Sequence, residues 1–479
     1  MNEHGTAQDE LINEETPLIP QKRQQTPLDH SQLAVLYFMQ ICEPMMSQSI
    51  YPYINQLVSE LDITGGDEKK VGYYAGLIES LFFITEALTV LHWSRTSDYI
   101  GRKPVLLLGL IGSAVSMLCF GLSRTFWTLV ASRCLTGLLN GNIGVMKSTM
   151  GDLTDNTNRA EGFAMLPVVW SVGATLGPLL GGTFARPQDR FPNVFKGRFW
   201  RDFPYFMPCL VVSSYIFTVA VIAIAFLKES APRQRRQRTA STDSEDTIAP
   251  EAETNTKDEP LPLRQLLVYP VIISISNYVS LAFLSIAFSA LLPLFLAMPI
   301  SIGGLGLSPA VIGYIIGGYG AATGIFQFFY FAQILRWLGE RRMFLNGIGT
   351  FVALFAAMPL CNVFARRSGE VDAACWAVIG VIVVLSVIMD MAFGAIFMFI
   401  TSSSPNESSL GATNGLSQTV VSIARAVGPA MATSLFSFSV QENILGGYAV
   451  YALFCGLSVA GVFLGTRLPK RMWDDQSEG

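Results

Sequence analysis

Charge is the scarcest feature of this chain. Only 14% of its 479 residues are Asp, Glu, Lys or Arg, against about 25% in a soluble domain. A soluble protein of this length needs a large polar surface, and the residues to make one are missing. That excludes an ordinary cytosolic enzyme, a disordered scaffold and a nucleic-acid binder. The formal net charge of −4 points to no partner of either sign. Histidine is nearly absent: His4, His30 and His92 cannot build a His-rich metal cage, so no metal site is expected. The seven cysteines (Cys42, Cys119, Cys134, Cys209, Cys361, Cys375 and Cys455) lie scattered in or beside apolar stretches. They read as small buried hydrophobes rather than a disulfide framework. No G-x-x-x-x-G-K-[ST] phosphate loop is present, which argues against an ATP-driven pump. No convincing nucleophile–base set lies within the apolar runs, so no enzyme is expected. No cleavable signal peptide is read at the start; the first 32 residues are polar and acidic, and the N-terminus is expected in the cytosol.

What is present is apolar length. The apolar set makes up 51% of the chain and the mean hydropathy is +0.42. Runs of about twenty apolar residues can cross a ~30 Å hydrocarbon core. Twelve are found, at 33–56, 71–92, 104–123, 126–149, 161–185, 204–227, 267–298, 308–331, 343–364, 373–400, 411–438 and 446–467. Runs this long are helices, because barrel strands alternate and are half the length. The expected fold is an all-α polytopic membrane protein. Residues 228–264 break the pattern, with a basic cluster (Arg233, Arg235, Arg236, Arg238) followed by acids. This reads as a disordered cytosolic linker, with a topogenic role for its basic cluster. The expected division is a cytosolic N-terminus at 1–32, six helices at 33–227, the linker, six helices at 265–467, and a tail at 468–479. With the N-terminus inside, cytosolic segments hold nearly twice as many Lys and Arg as the opposite loops, favouring both termini in the cytosol. One loop resists that bias: Arg186, Arg190, Lys196, Arg198 and Arg201 all follow span 5.

An internal repeat supports two halves. Ser171–Pro178 in span 5 parallels Ser422–Pro429 in span 11, and Tyr99–Lys103 after span 2 parallels Trp337–Arg341 after span 8. Both pairs are six spans apart and in the same order. The halves therefore read as duplicated six-helix bundles about an axis along the membrane normal.

The segment Ser94-Arg95-Thr96-Ser97-Asp98-Tyr99-Ile100-Gly101-Arg102-Lys103 reads as a tight cytosolic turn. It resembles the G-x-L-a-D-r-x-G-R-K loop of the major facilitator superfamily, with Ser94 and Thr96 replacing the first Gly and the Leu. Arg133-Cys-Leu-Thr-Gly137 in span 4 looks like that superfamily's intramembrane Arg motif. Gly173, Gly177, Pro178, Gly181 and Gly182 in span 5 look like the signature of its drug:proton antiporters. Three further stretches are similar to the zinc-induced-facilitator-like transporters and their fungal multidrug-type relatives: Ile41–Pro44 with Ser49–Tyr53, Gly137–Lys147, and Asn414–Pro429. The resemblance covers nearly the whole chain, linker excepted. The plant members carry a Cys-Pro-x-Cys in span 1, where only Cys42 and a shifted Pro44 remain here.

The resemblance implies the major facilitator fold of twelve helices in two pseudo-symmetric bundles, a substrate site between the halves, and rigid-body alternating access. It implies a secondary transporter exporting a small organic substrate, cationic or amphipathic, by proton antiport. The energy source would be the proton gradient, with no cofactor; the partners would be substrate, protons and the bilayer, with no nucleic acid, and the chain would work as a monomer. Asp98, Gly101, Arg102 and Lys103 would form the gating loop. The alternatives are a metal-chelate, ion or narrow-metabolite facilitator of the same fold, and a non-transporting membrane sensor.

Charges inside the spans are the strongest site candidates, since each costs about 2.5–3.5 kcal/mol at mid-helix. They are Glu43 in span 1, Glu79 and Glu86 two turns apart on span 2, Arg133 in span 4, Asp390 in span 10 and Arg425 in span 11. A carboxylate taken out of water can carry a proton near neutral pH, and a neighbouring Arg opposes that. Glu43 or Glu79 is the expected proton carrier, coupled to Arg133; the alternative is a static buried network. Gln48, Tyr51, Asn140, Asn142, Asn277, Tyr278, Gln327 and Gln418 are candidates to line the cavity, where aromatics suit cationic or amphipathic substrates. Taken singly, each also fits a helix–helix hydrogen bond. The expected location is the plasma membrane or the vacuolar membrane, and Glu14–Ile19, which looks like an acidic dileucine sorting signal for vacuolar or lysosomal delivery, favours the vacuole. Asn406–Ser408 is a glycosylation sequon in an expected cytosolic loop and should be unused.

Overall fold

The computed structural model describes residues 26–140, 142–154, 158, 162, 165–229, 263–405 and 409–470. The sorting-signal-like stretch, most of the linker and the sequon lie outside them. Twelve spans follow in chain order: α1 (His30–Gln48), α2 (Val71–Ile100), α3 (Arg102–Gly121), α4 (Phe126–Leu139 and Asn142–Leu153), α5 (Leu166–Phe184), α6 (Phe206–Phe226), α7 (Tyr269–Ala297), α8 (Pro309–Leu338), α9 (Glu340–Ser368), α10 (Ala373–Ser402), α11 (Leu410–Gln441) and α12 (Ala449–Gly465). Among the described residues nine of these are long and apolar enough to cross a membrane by themselves; α1, the broken α4 and the shorter α12 complete the set.

Local chemistry sets several ends. Asp29 caps α1, its carboxylate accepting from the Ser31 and Gln32 amides at 3.2 Å each. Thr125 opens α4 with a capping box. Asp372 accepts from the Cys375 amide at 3.0 Å to start α10, and that bond holds its carboxyl below the usual carboxylate range.

Three boundaries depart from the sequence expectation. Span 1 was expected to reach residue 56, but α1 stops at Gln48; Ser49–Tyr53 turns, and a short helix Ile54–Ser59 follows. Pro52 lacks an N–H and restricts its neighbour, which disfavours helix there. The Ser94–Lys103 segment is not a turn. Its first seven residues are the last two turns of α2, and the chain reverses at Gly101 alone, with φ 109°. Polar residues there continue the helix beyond the apolar run. Span 4 is interrupted at Asn140.

Packing repeats across the two bundles. α1 lies on α5, α3 on α6, and α2 and α3 on α4; α7 lies on α11, α9 on α12, and α8 and α9 on α10. The bundles meet through α5 with α8 and α2 with α11. The repeat extends to the loops. Gly339, with φ 74°, is the counterpart of Gly101. Lys103 Nζ donates to the Ile224 carbonyl at the end of α6 at 2.8 Å, and Arg341 donates to the Thr466 carbonyl at the end of α12 at 2.7 Å.

The seam between the halves is built from small residues at the end of the bundle away from the described chain ends. Gly72 and Gly76 of α2 press on Thr433 of α11, and Gly182 of α5 presses on Pro309 and Gly313 of α8. Among the described residues, hydrogen bonds that cross it there include Tyr73 to Gln441 at 3.1 Å, the Ala430 amide to Ser80 at 2.9 Å, and Arg190 to Tyr314 at 2.5 Å. On the opposite half of α11, a methyl built on Gly415 would meet no described atom within 4 Å.

Candidate functional site

The site begins with α4 lying close on α2. A methyl at Gly137 would collide with the Thr85 hydroxyl and the Phe82 carbonyl. That contact brings Arg133, four residues earlier, into the bundle at 2% exposure. Its guanidinium lies 4.5 Å over the Phe82 ring. Its Nε and one terminal nitrogen have no hydrogen-bond partner among the described residues. Its electrostatic neighbours are Tyr51, Glu79, Tyr53 and Glu86. Glu79 is not salt-bridged to it. The Glu79 carboxylate instead accepts from the Tyr51 hydroxyl, which the turn after α1 returns into the bundle. Tyr51 and Glu79 line a narrow cavity with Asn55, Gly76, Pro293 and Thr433, so the turn and short helix after α1, together with α2, α7 and α11, all reach it.

A second group of charges forms further along α2. Glu86 accepts from Asn140 at 2.9 Å. Glu43 is buried, with one carboxylate oxygen unpartnered among the described residues. Its charged neighbours are Glu86, Arg425 and Lys147. Arg425 belongs to the C-terminal half, so this group spans both halves. Lys147, within span 4, stands with Glu43 and Arg425 as charged neighbours. Its one signal in the sequence is the cost of a charge at that depth in span 4. Asp390 stands apart. It accepts from Tyr319 at 2.5 Å and Thr323 at 3.1 Å, joining α10 to α8.

The remaining candidates fall in different places. Gly173 and Gly177 sit against the α1 backbone, where a methyl would come within 2.9 Å of the Ile41 carbonyl and 2.8 Å of the Met45 carbonyl. Gly181 continues that stripe onto the Ser49 carbonyl, while Pro178 and Gly182 face Gly313 of α8. Asn142 donates to the Leu106 carbonyl at 3.2 Å, holding α4 to α3. Asn277 donates to its own helix at 2.8 Å and leaves its carbonyl oxygen unpartnered and buried. Gln418 donates to Tyr278 at 3.3 Å within the C-terminal half. Gln48 packs beside Gly177, and Gln327 is half-buried on α8.

At the Gly101 reversal, Arg102 pairs with Asp152 of α4 at 3.1 Å and donates to Ser97 at 2.8 Å. The Glu229 carboxylate, just beyond α6, accepts from the Arg102 and Lys103 amides at 2.8 and 3.2 Å. Asp98 lies on the last turn of α2, and its side chain lies outside the described residues.

Comparison with known proteins bears on this geometry. A family model described as Major Facilitator Superfamily matches residues 36–429. The chain is 31% identical to the major facilitator-type transporter psiT2 of Psilocybe cyanescens, over 95% of this chain and 92% of that one. It is 29% identical to the major facilitator superfamily multidrug transporter mfsB of Aspergillus fumigatus, over 93% and 84%. Its fold is similar to the crystal structure of a bacterial homologue of the human lysosomal transporter Spinster, inward-facing and unoccupied. The TM-score is 0.63 at 15% identity, covering 91% of this chain and 94% of that one.

Proposed function

The chain belongs to the major facilitator superfamily of membrane transporters, and from that premise we propose that it is a proton antiporter exporting a small amphipathic organic molecule. The observation that carries this reading is the position of Glu79. It lies on α2 between Gly76 and Ser80, two of the positions that touch α11 across the seam. Its carboxylate is held by one tyrosine hydroxyl rather than by a salt bridge. A proton arriving at Glu79 changes the charge beside the contact that must part when the transporter switches. Loss of that charge removes the repulsive cost of a bare carboxylate in the closed seam. Arg133, buried nearby with unfilled donors, supplies the opposing charge when the proton leaves. Glu43, Glu86, Lys147 and Arg425 form the wider polar floor of the substrate path.

With both termini in the cytosol, the seam described above closes the outer side and the substrate path opens inward. The protein works as a monomer in the plasma or vacuolar membrane, driven by the proton gradient and without a cofactor. The names of relatives such as the multidrug transporter mfsB support export.

The test is efflux of a cationic rhodamine dye from cells expressing the wild type, Asp98→Ala and Arg133→Ala, with and without a protonophore. Delivery of each is first confirmed with a fluorescent tag. Efflux by the wild type alone, abolished by the protonophore, is expected. Equal efflux with the protonophore present would overturn the proton coupling.

A further inference from the structure

The loop between α5 and α6 is not accounted for by transport, and it runs against the charge bias of the other loops. Residues 186–203 carry Arg186, Arg190, Lys196, Arg198 and Arg201 against only Asp189 and Asp202. Some of these charges have structural work. Arg186 binds Glu60 at 2.8 Å and Asp189 at 2.6 Å, and Tyr205 donates to the same Glu60 at 2.9 Å. Arg190 donates to Tyr314 across the seam. Asp202 is shared by Arg124 at 3.4 Å and Arg198 at 3.7 Å. Lys196 and Arg201 remain exposed, and the Arg198 side chain is 93% exposed.

Between these cations lies an aromatic cluster that packs on itself. The Phe195 and Trp200 centroids are 4.8 Å apart, Phe199 and Trp200 5.3 Å, and Phe199 and Phe206 5.3 Å. The cluster's outer edge stays open, with Val194 at 74% and Phe199 at 42% exposure. The loop runs from the end of one spanning helix to the start of the next, which brings its ends to the membrane boundary. There, exposed apolar rings and exposed cations side by side match a phospholipid interface: rings at the acyl boundary, cations at the phosphates.

We propose that the 191–201 face of this loop binds the headgroup of an anionic phospholipid. Lys196, Arg198 and Arg201 hold the phosphate, and Phe199 and Trp200 lie at the boundary with the chains. The charge balance favours this occupant, since the loop with Arg124 and Glu60 keeps a net positive charge after all its acids are paired. The site is independent of the transport reading.

The experiment is native mass spectrometry of the full-length, delipidated protein in detergent, offered equal phosphatidylglycerol and phosphatidylcholine. The wild type is expected to retain phosphatidylglycerol roughly a hundredfold over phosphatidylcholine, from the attraction of three cations. Lys196→Gln/Arg198→Gln/Arg201→Gln is expected to bring the ratio near parity with an unchanged melting temperature. If that variant melts lower, Lys196→Gln alone is read, with a loss of about fivefold expected. The charge-conserving Lys196→Arg/Arg198→Lys/Arg201→Lys should keep the preference. Absence of a preference in the wild type, or an equal preference in the neutralised variant, would overturn the proposal. So would full displacement by inorganic phosphate, which would mark a free-anion site instead.

Discussion

Gly182 of α5 and Gly313 of α8 face each other across the seam between the two halves. A methyl built on either one would lie 3.0 Å from the other's Cα and closer still to the backbone carbonyl of Pro309 or Pro178. The halves touch backbone to backbone there, and any side chain must push them apart.

Gly313→Leu is therefore expected to favour the form in which this end of the seam is parted. Overpacking a tight contact costs about 1–3 kcal/mol, which shifts a two-state balance by roughly tenfold to a hundredfold. Labelling of a Thr433→Cys reporter by an impermeant maleimide should accelerate by that order. An unchanged rate would mean that the seam is not the moving contact.

The Tyr51–Glu79 pair predicts coupling between two residues on different helices. Tyr51→Phe strips the hydroxyl from a buried carboxylate, an unmet acceptor costing about 1–3 kcal/mol. Glu79→Gln should lessen the effect of Tyr51→Phe, because the carboxylate that needs the hydroxyl is gone. A double-mutant cycle on thermal stability should return an interaction of about 0.5–3 kcal/mol. A result within error of zero would show that the two side chains act separately.

Glu229 predicts a separate effect at the Gly101 reversal. It accepts from the first two amides of α3, so Glu229→Ala is expected to cost about 0.5–2 kcal/mol, the ordinary loss of a cap. Glu229→Gln, which keeps an acceptor, should recover part of it. Melting temperatures of the two variants check this, and equal losses would point to the charge rather than the hydrogen bonds.

Arg133 over Phe82 tests the choice of cation. Arg133→Lys keeps the charge but not the flat guanidinium that stacks on the ring. Dye efflux is expected to fall roughly tenfold in Arg133→Lys, on the scale of a desolvated cation–π contact. Wild-type efflux from the lysine variant would show that charge alone suffices.

The spans were readable because the bilayer demands length and apolarity together, and those are properties of each segment by itself. The helix ends were less so. The polar stretch Ser94–Ile100 looks like a loop in composition, yet it continues α2 because nothing before Gly101 stops it. Asn140 lies within an apolar run but breaks α4, where its amide serves Glu86 on another helix. That partner is invisible to local reading. In the site, Glu43, Glu79, Arg133, Asp390 and Arg425 stand out in the sequence because a buried charge is costly. Their pairings do not, since Tyr51 reaches Glu79 only through a turn that the apolar pattern hides, and Asp390 rests on two α8 hydroxyls rather than a base. Asn142 looked like a cavity residue until its bond to the Leu106 carbonyl placed it between α3 and α4.

The most direct test of the central claim is proton movement in proteoliposomes holding the purified full chain and an internal pH dye. An imposed gradient of cationic rhodamine should drive protons the opposite way through the wild type. In Glu79→Gln the dye should still exchange across the membrane while the coupled proton signal disappears. A Glu79→Gln variant that moves protons as the wild type does would contradict the account.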